Sequence, residues 1–283
     1  MISIIIPFFN SKLTLERAVN SVIKQSFKNW ELILVDDGSQ DRSVDNISRF
    51  LGYSNIKLIQ QNNSGVSKSR NSGALQALGD WLLFLDSDDE LERDGLLSFT
   101  NFIQKNPYLS LIRGGFKRIY NETVEVRIPT EEKDQSFLSG TFLIKKSVFF
   151  EELGYDERIK FSENSELLHR LQIKQVPVGY LGKVVLKYYE SKGGGSKNLQ
   201  NMMDSLIIIL DKHKATLSPH VLHLYHQILG VIYIRFRRFT DARFHLWKAI
   251  RYKPQKLVTW GRFGLACFPF LAKRLYSQTV KYD

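Results

Sequence analysis

Short apolar segments alternate with segments of helical periodicity along the first part of the chain, and this alternation constrains the fold more than any other feature. The apolar segments are 2–8, 30–35, 56–59 and 81–85, and the helical ones are 13–25, 43–51 and 65–78. Repeated strand–helix units of this kind predict a largely parallel sheet covered by helices. Ligands of such sheets bind beyond the carboxyl ends of the strands.

Two acidic clusters lie at this predicted edge. Residues 36–39 (DDGS) follow one apolar segment, and residues 86–89 (DSDD) follow another. Crowded carboxylates repel one another unless a cation or hydrogen-bond donors hold them. Neither cluster has a nearby His or Cys, and oxygen ligands alone favour Mg²⁺ or Mn²⁺. Taken alone, the cluster at 86–89 is also compatible with a solvated turn that caps a helix.

A third motif, residues 69–73 (SRNSG), lies in the helical segment between the two clusters. Arg70 offers a forked donor suited to a base or a phosphate. Acidic groups on either side could hold a ribose and a metal ion. Together the three motifs predict a site for a nucleoside diphosphate.

The motifs ISIIIPFFN, QSFKNWELILVDDGSQDRS and NSGVSKSRNSGALQALGDWLLFLDSDDEL resemble those of family 2 glycosyltransferases in order and spacing. The resemblance is close over residues 1–95 and looser to about residue 190. It implies an α/β GT-A fold with a Rossmann-like, mostly parallel mixed sheet, a nucleotide-sugar donor such as a UDP-sugar, and inversion at the anomeric carbon. By this resemblance Pro7, Asn10, Asp36, Asp37 and Arg70 line the nucleotide pocket, Asp86 faces the ribose and the metal, and Asp88 binds Mn²⁺ or Mg²⁺ directly.

The chain departs from this family on the acceptor side. The family commonly carries E-D-x-x-L there, with the Asp as general base, whereas this chain has Glu163-Asn164-Ser165-Glu166-Leu167. The amide of Asn164 cannot take up a proton. Three readings stay open: Glu163 is the base, Glu166 is the base, or the enzyme is impaired. The stretch is also compatible with an exposed helix start whose acidic residues favour the helix dipole.

The pattern changes near residue 190. Residues 191–196 (SKGGGS), with Lys197 beside them, are read either as a linker or as a loop that embraces a phosphate. The predicted domains are a catalytic domain 1–190, a Gly-rich linker 191–198, and a helical extension 199–283 in which 226–254 match the spacing of one tetratricopeptide-like αα-hairpin. His220, His223 and His226 in this extension are interpreted as a helix surface.

Charge separates the same two regions. Residues 1–191 hold 24 Lys/Arg against 25 Asp/Glu (−1), whereas residues 192–283 hold 16 Lys/Arg against 4 Asp (+12). An anionic membrane surface, an anionic polymer and nucleic acid all suit such a tail. We favour the membrane and expect no nucleic acid. Apolar residues 263–272, flanked by cations, are read as an interfacial anchor or as a helix packed on the core.

One cysteine, no leader pattern and no long apolar stretch predict a protein of the cytoplasm, peripheral at the inner face of the plasma membrane. The predicted function is transfer of a sugar to a saccharide or lipid-linked hydroxyl acceptor in bacterial surface-polysaccharide or glycolipid synthesis. The alternatives are a metal-dependent nucleotidyltransferase and a catalytically weak nucleotide-sugar-binding protein.

Overall fold

The computed structural model describes residues 1–120, 123–130, 137–190 and 198–277. The chain divides into two compact units. The first comprises Met1–Glu157 and Glu163–Ser191, and the second comprises Arg158–Ser162 and Lys192–Asp283.

Within the described residues, nine strands of the first unit form one mixed sheet. The strands are β1 (Ile2–Phe8), β2 (Trp30–Asp36), β3 (Ile56–Gln60), β4 (Trp81–Phe84), β5 (Glu90–Leu91), β6 (Leu111–Tyr120), β7 (Thr123–Arg127), β8 (Phe142–Lys145) and β9 (Val178–Tyr189). Their order is β3-β2-β1-β4-β8-β6-β9-β5, and β7 pairs with β6. Sequence periodicity missed β5, because a two-residue strand carries no alternation.

The first four strands of this order are parallel, which fixes where the site lies. In register, Phe8 of β1 pairs with Asp36 of β2, and Ile5 pairs with Phe84 of β4. The carboxyl ends of β2, β1 and β4 therefore lie side by side. β8 continues the sheet antiparallel to β4, so the helix-covered parallel part predicted from the sequence ends there.

Helices cover both faces of this sheet. They are α1 (Leu15–Ile23), α2 (Ser43–Ile47), α3 (Val66–Gln76), α4 (Gly95–Lys105), α5 (Lys146–Glu151) and α6 (Glu163–Ile173). Even-numbered residues of β1 belong to one apolar cluster with residues of α1 and α4, whereas Ile5 belongs to another with residues of α3, α5 and α6. A Cβ on Gly73 of α3 would lie 2.5 Å from the Ile5 side chain. Only glycine lets α3 approach β1 this closely.

The second unit is helical. Its helices are α7 (Leu199–His213), α8 (Pro219–Arg235), α9 (Phe239–Tyr252), α10 (Leu257–Cys267) and α11 (Pro269–Leu275). Gly230 of α8 lies against Leu246 of α9, where a Cβ would come within 2.5 Å of the leucine. The buried Ala242 belongs to the same apolar cluster as Leu246, and Ala249 of α9 is also buried. The apolar segment 263–272 belongs to two helices, because α10 ends at Cys267 and α11 begins at Pro269, with Phe268 between them.

The surface interpretation of the three histidines is wrong for His223 and incomplete for His226. His220 is exposed, but His223 is buried and its Nδ1 lies 2.9 Å from the carbonyl oxygen of Ala249. His226 Nδ1 lies 2.9 Å from Nδ1 of His245 on α9. A three-residue spacing does not distinguish a solvent face from a packed one, and this side of α8 packs against α9.

Candidate active site

The loops that follow β1 and β2 are joined by hydrogen bonds. Asn10 adopts a left-handed backbone (φ 49°), and its side-chain oxygen accepts a hydrogen bond from the Gln40 amide at 2.8 Å. The Asn10 amide donates to the Ser39 hydroxyl at 3.0 Å. Asp36, buried at the end of β2, accepts from the Ser39 amide at 2.8 Å. Pro7 is buried in β1 opposite Val35, so it forms the floor beneath these loops.

Asp37 holds the loop that leads into α3 by hydrogen bonds. Its carboxylate accepts from the amides of Ser64 at 2.9 Å and Gly65 at 2.8 Å, and from the side chain of Gln61 at 2.8 Å. These contacts fix the loop that precedes Ser69 and Arg70. The loop after β1 also contacts the loop after β4: the hydroxyls of Ser11 and Ser87 lie 2.9 Å apart.

Three carboxylates crowd together after β4. Asp86 is 38% exposed at its side chain, and Asp89 is buried with its Oδ1 accepting from the Tyr189 amide at 2.9 Å. Burial and the neighbouring Asp86 raise the pKa of Asp88 to about 6. Burial and the carboxylates of Asp86 and Asp88 raise the pKa of Asp89 well above its usual value. The cluster therefore has an excess of negative charge that a cation would relieve.

Side chains from α1 and β9 support this cluster from behind, and the sequence did not reveal them. The guanidinium of Arg17 donates to the backbone carbonyl of Asp88 and stacks on the ring of Tyr189, 3.8 Å from its centroid. Arg17 Nε also lies 3.4 Å from Glu90, which accepts from the Tyr189 hydroxyl at 2.7 Å. Burial and this bond to Glu90 raise the pKa of Tyr189 to about 12.

Arg70 lies at the centre of the site and connects its two sides. The guanidinium, 2% exposed, donates to Asp86 at 2.6 Å, to Glu163 at 2.9 Å and to the Ser139 hydroxyl at 2.8 Å. Burial alone would lower the pKa of Arg70, but the carboxylates of Asp86 and Glu163 raise it above its usual value. The forked donor predicted for a base or phosphate is thus already bonded to two carboxylates.

The acceptor-side residues at the start of α6 fall into different surroundings. Asn164 is buried, with its oxygen accepting from the Tyr155 hydroxyl at 2.8 Å and its amide 3.3 Å from the Ser139 hydroxyl. Burial raises the pKa of Tyr155 above its usual value, so this hydroxyl remains a donor. Glu163 is 15% exposed at its side chain.

Glu166 points into a different environment. Its side chain is 1% exposed and pairs with Arg170 at 2.9 Å, one helical turn further along α6. Arg170 in turn donates to the carbonyl oxygen of Gly154 at 2.6 Å. This ion pair ties α6 to the loop at Gly154. Lys197, predicted to contact a phosphate, lies outside the described residues, as does the Gly-rich stretch 191–196.

The described residues supply some of the ligands that a magnesium or manganese ion needs. They contain no group of three or more His, Cys, Asp or Glu side chains arranged to hold a metal. Mg²⁺, however, is usually held by one or two carboxylates, with waters and substrate phosphates completing its shell. Asp88 and Asp86 supply such a pair, and the raised pKa of Asp88 marks a position that favours a cation.

A mixed sheet with acidic side chains at adjacent carboxyl ends of parallel strands defines an α/β protein whose ligand site lies at that edge. Residues 3–165 match the family described as "Glycosyl transferase family 2", and the chain belongs to this family. Crystal structures of Staphylococcus aureus TarS have the same GT-A fold. The TarS 1-349 structure superposes with a TM-score of 0.67 at 16% identity, covering 97% of this chain and 90% of that one. The predicted fold class and family are confirmed.

Curated relatives include three bacterial proteins. The minor teichoic acid biosynthesis protein GgaA of Bacillus subtilis is 31% identical over 212 residues, which are 68% of this chain and 47% of GgaA. An uncharacterized glycosyltransferase of Haemophilus influenzae is 35% identical over 141 residues, 49% of this chain and 56% of that one. The Escherichia coli β-1,3-glucosyltransferase WfgD is 31% identical over 134 residues, 47% of this chain and 52% of WfgD. The chain thus spans about half the length of the curated relatives it matches.

Proposed function

We propose that this protein is an inverting glycosyltransferase of cell-surface glycan synthesis. It moves a sugar from a nucleoside-diphosphate donor, a UDP-sugar, to a hydroxyl of a saccharide or lipid-linked acceptor, with Mn²⁺ or Mg²⁺. One observation carries the proposal. Arg70 joins Asp86, at the end of the central parallel strands, to Glu163, at the start of the acceptor-side helix. A donor-side carboxylate and a candidate base are thereby held at fixed positions.

On the donor side, the loops after β1 and β2 would hold the nucleoside. Asp36 and Asn10 set the course of these loops, and Asp37 fixes the start of α3. Asp88 and Asp86 would hold the metal ion, which supplies Lewis-acid stabilisation of the negative charge on the departing diphosphate. Arg17 keeps the Asp88 backbone in place through its bond to the carbonyl.

On the acceptor side, Glu163 would remove the proton from the attacking hydroxyl. A carboxylate has about four acceptor sites, and the bond from Arg70 Nη1 to Glu163 Oε1 occupies one of them. Arg70 also fixes the side-chain rotamer, which a general base needs. Asn164 holds its place through Tyr155 and Ser139 and would position the start of α6.

The relatives support the substrate classes. GgaA is named for minor teichoic acid biosynthesis, and WfgD is named for transfer from UDP-Glc to a GlcNAc-diphosphoundecaprenol. Another relative, from Bacillus spizizenii, is named a poly(ribitol-phosphate) β-glucosyltransferase. TarS has been crystallised with UDP and with UDP-GlcNAc. These names support a UDP-sugar donor and a polymeric or lipid-linked acceptor.

We place the reaction at the inner face of the plasma membrane, with the protein bound peripherally. The described part of the chain contains no helix both long and apolar enough to cross a bilayer. The excess of 16 Lys/Arg over 4 Asp in residues 192–283 supports attraction to an anionic surface.

A thermal-shift screen of UDP-sugars with and without Mn²⁺ tests the proposal, because a ligand that binds the folded state stabilises it. The expected result is a metal-dependent stabilisation and slow hydrolysis of the bound UDP-sugar. Pyrophosphate release from an NTP would instead identify a nucleotidyltransferase. Binding of a UDP-sugar with no hydrolysis and no transfer would identify the nucleotide-sugar-binding protein that Asn164 favours.

A further inference from the structure

The last two helices of the described chain leave large apolar side chains in solvent. Phe270 is 80% exposed, Leu257 79%, Leu275 65%, Phe268 62% and Leu271 48%. Single exposed apolar residues are ordinary on protein surfaces. With Val258, which is 64% exposed, six such aliphatic or phenylalanine side chains lie within nineteen residues of sequence, and this concentration indicates an interaction surface.

Every charged side chain in the same part of the chain is basic. Residues 242–277 contain no Asp or Glu and eight basic residues: Arg243, Lys248, Arg251, Lys253, Lys256, Arg262, Lys273 and Arg274. Lys256, Lys273 and Arg274 are exposed. Since no acidic side chain neutralises them within this stretch, the surface suits a partner of negative charge.

Two half-exposed tryptophans lie on α9 and α10. Trp260 of α10 is 43% exposed and Trp247 of α9 is 47% exposed, with their rings edge to face at 6.3 Å. The Trp260 indole donates to the carbonyl oxygen of Pro254 at 2.9 Å. Tryptophan is favoured at the boundary between lipid and water, where an apolar ring and a polar N–H both find partners.

We propose that α10 and α11 dock on an anionic lipid surface, with Phe268, Phe270 and Leu271 entering the headgroup region and Lys273 and Arg274 contacting lipid phosphates. Exposed Phe and Leu favour lipid over a glycan polymer, which offers few apolar groups. The absence of acidic residues in 242–277 argues against a second copy of the same surface, because like charges would face each other. The inference rests on the proposed peripheral association and names the surface responsible.

Co-sedimentation of the full chain with vesicles tests the membrane-docking proposal. The assay contains no donor or acceptor, so a negative result leaves the transferase proposal untouched. One vesicle contains phosphatidylcholine alone and the other equal parts phosphatidylcholine and phosphatidylglycerol. We expect binding to the anionic vesicle that weakens as salt is raised. The double variant Phe270→Ser/Leu271→Ser should lower the partition coefficient roughly tenfold. Lys273→Glu/Arg274→Glu should lower it at least as much.

Matched controls change the same chemistry elsewhere. Leu75→Ser removes a leucine that is 68% exposed on α3, and Lys24→Glu/Lys214→Glu makes the same change of net charge at two exposed sites. Both should bind like the parent. Equal sedimentation with neutral and anionic vesicles would overturn the proposal. So would an oligomer that the Phe270→Ser/Leu271→Ser variant dissociates, or control variants that lose as much binding as the test variants.

Discussion

Nη1 of Arg70 lies 2.9 Å from Oε1 of Glu163, although the two residues are 93 positions apart in the chain. Arg70 comes from the helix that the nucleotide-side loops position, and Glu163 begins the helix that carries the acceptor-side residues. The same guanidinium also binds Asp86. One buried cation thus sets the relative positions of the two carboxylates that the proposed reaction uses.

Replacing Arg70 by Met should destabilise the fold by about 3 kcal/mol, because removing one partner of a buried ion pair leaves the other charges uncompensated. Adding Glu163→Gln to this variant should recover part of the loss, since one uncompensated carboxylate is then gone. The measurement is urea denaturation of the parent, the two single variants and the double variant. Strict additivity of the two substitutions would show that Arg70 and Glu163 do not stabilise each other.

Asp88→Ala should abolish the metal-dependent gain in UDP affinity while leaving the fold intact. The reason is that Asp88 sits in a crowded acidic cluster where a cation relieves repulsion. Titration calorimetry of UDP with and without Mn²⁺ measures the effect, and Asp45→Ala, an exposed acidic position on α2, is the control. Unchanged UDP affinity with Mn²⁺ present would remove Asp88 from the metal site.

Arg17→Gln should raise the Mn²⁺ concentration needed for half-maximal UDP binding by roughly ten- to a hundredfold, the range typical of residues that orient metal ligands. Arg17 touches the Asp88 carbonyl and Tyr189 but no group assigned to the nucleotide. Affinity at saturating Mn²⁺ should therefore change little. Lys24→Gln removes a cation from the residue after α1 and serves as the control. A matching loss in that control would point to general electrostatics instead.

The two sides of this site were not equally predictable from sequence. The placement of Asp36 and Asp86 followed from apolar runs ending in acidic clusters, because parallel strands bring their carboxyl ends to one edge. The contact between Arg17 and Tyr189 has no such signal. This contact joins the first helix to the last strand. The two residues are brought together by the order of the strands in the sheet, which the periodicity of the sequence does not reveal.

The acceptor side shows the same limit. The sequence identified Glu163, Asn164 and Glu166 as candidates but could not separate them, since neighbouring helix positions differ by ~100° in direction. The structure separates their surroundings: Glu163 meets Arg70, Asn164 meets Tyr155, and Glu166 meets Arg170. These partners come from a helix, a loop and the next turn of α6, which residue patterns in α6 alone do not encode.

The pair His226–His245 should make the second unit sensitive to mild acid. Burial, His245 and Lys248 lower the pKa of His226 to about 4. Burial lowers the pKa of His245 to about 4, against an opposing effect of Asp241. As pH falls from about 6.5 towards 4, the unfolded chain binds protons that the folded pair does not, so the free energy of unfolding decreases.

We expect a loss of about 1–3 kcal/mol between about pH 7 and pH 5, measured by urea denaturation. His245→Gln should flatten this dependence, because it removes one of the two titrating rings. His220→Gln removes an exposed histidine from α8, the helix that carries His226, and should leave most of the pH dependence in place. A pH profile that stays the same in the His245→Gln variant would exclude the pair as its source.

Glu163, held by Arg70, is the candidate general base. Glu163→Gln should lower the rate of sugar transfer by about 10²- to 10⁴-fold, as loss of a general base typically does, with donor affinity retained. Asn164→Asp should not raise the rate, because the Asn164 oxygen is buried and already accepts from Tyr155. Glu166→Gln should lower stability more than transfer, because it breaks the buried pair with Arg170.

Transfer rates of the three single variants at saturating donor decide among these assignments, with calorimetry of UDP binding and a melting temperature recorded for each. Because Arg70 contacts Glu163, donor affinity in the Glu163→Gln variant separates a lost base from a disturbed nucleotide side. A gain in Asn164→Asp with little change in Glu163→Gln would mean that Asn164 marks a lost base. If Glu166→Gln stays folded and alone stops transfer, the base lies one helical turn further along α6 than assigned.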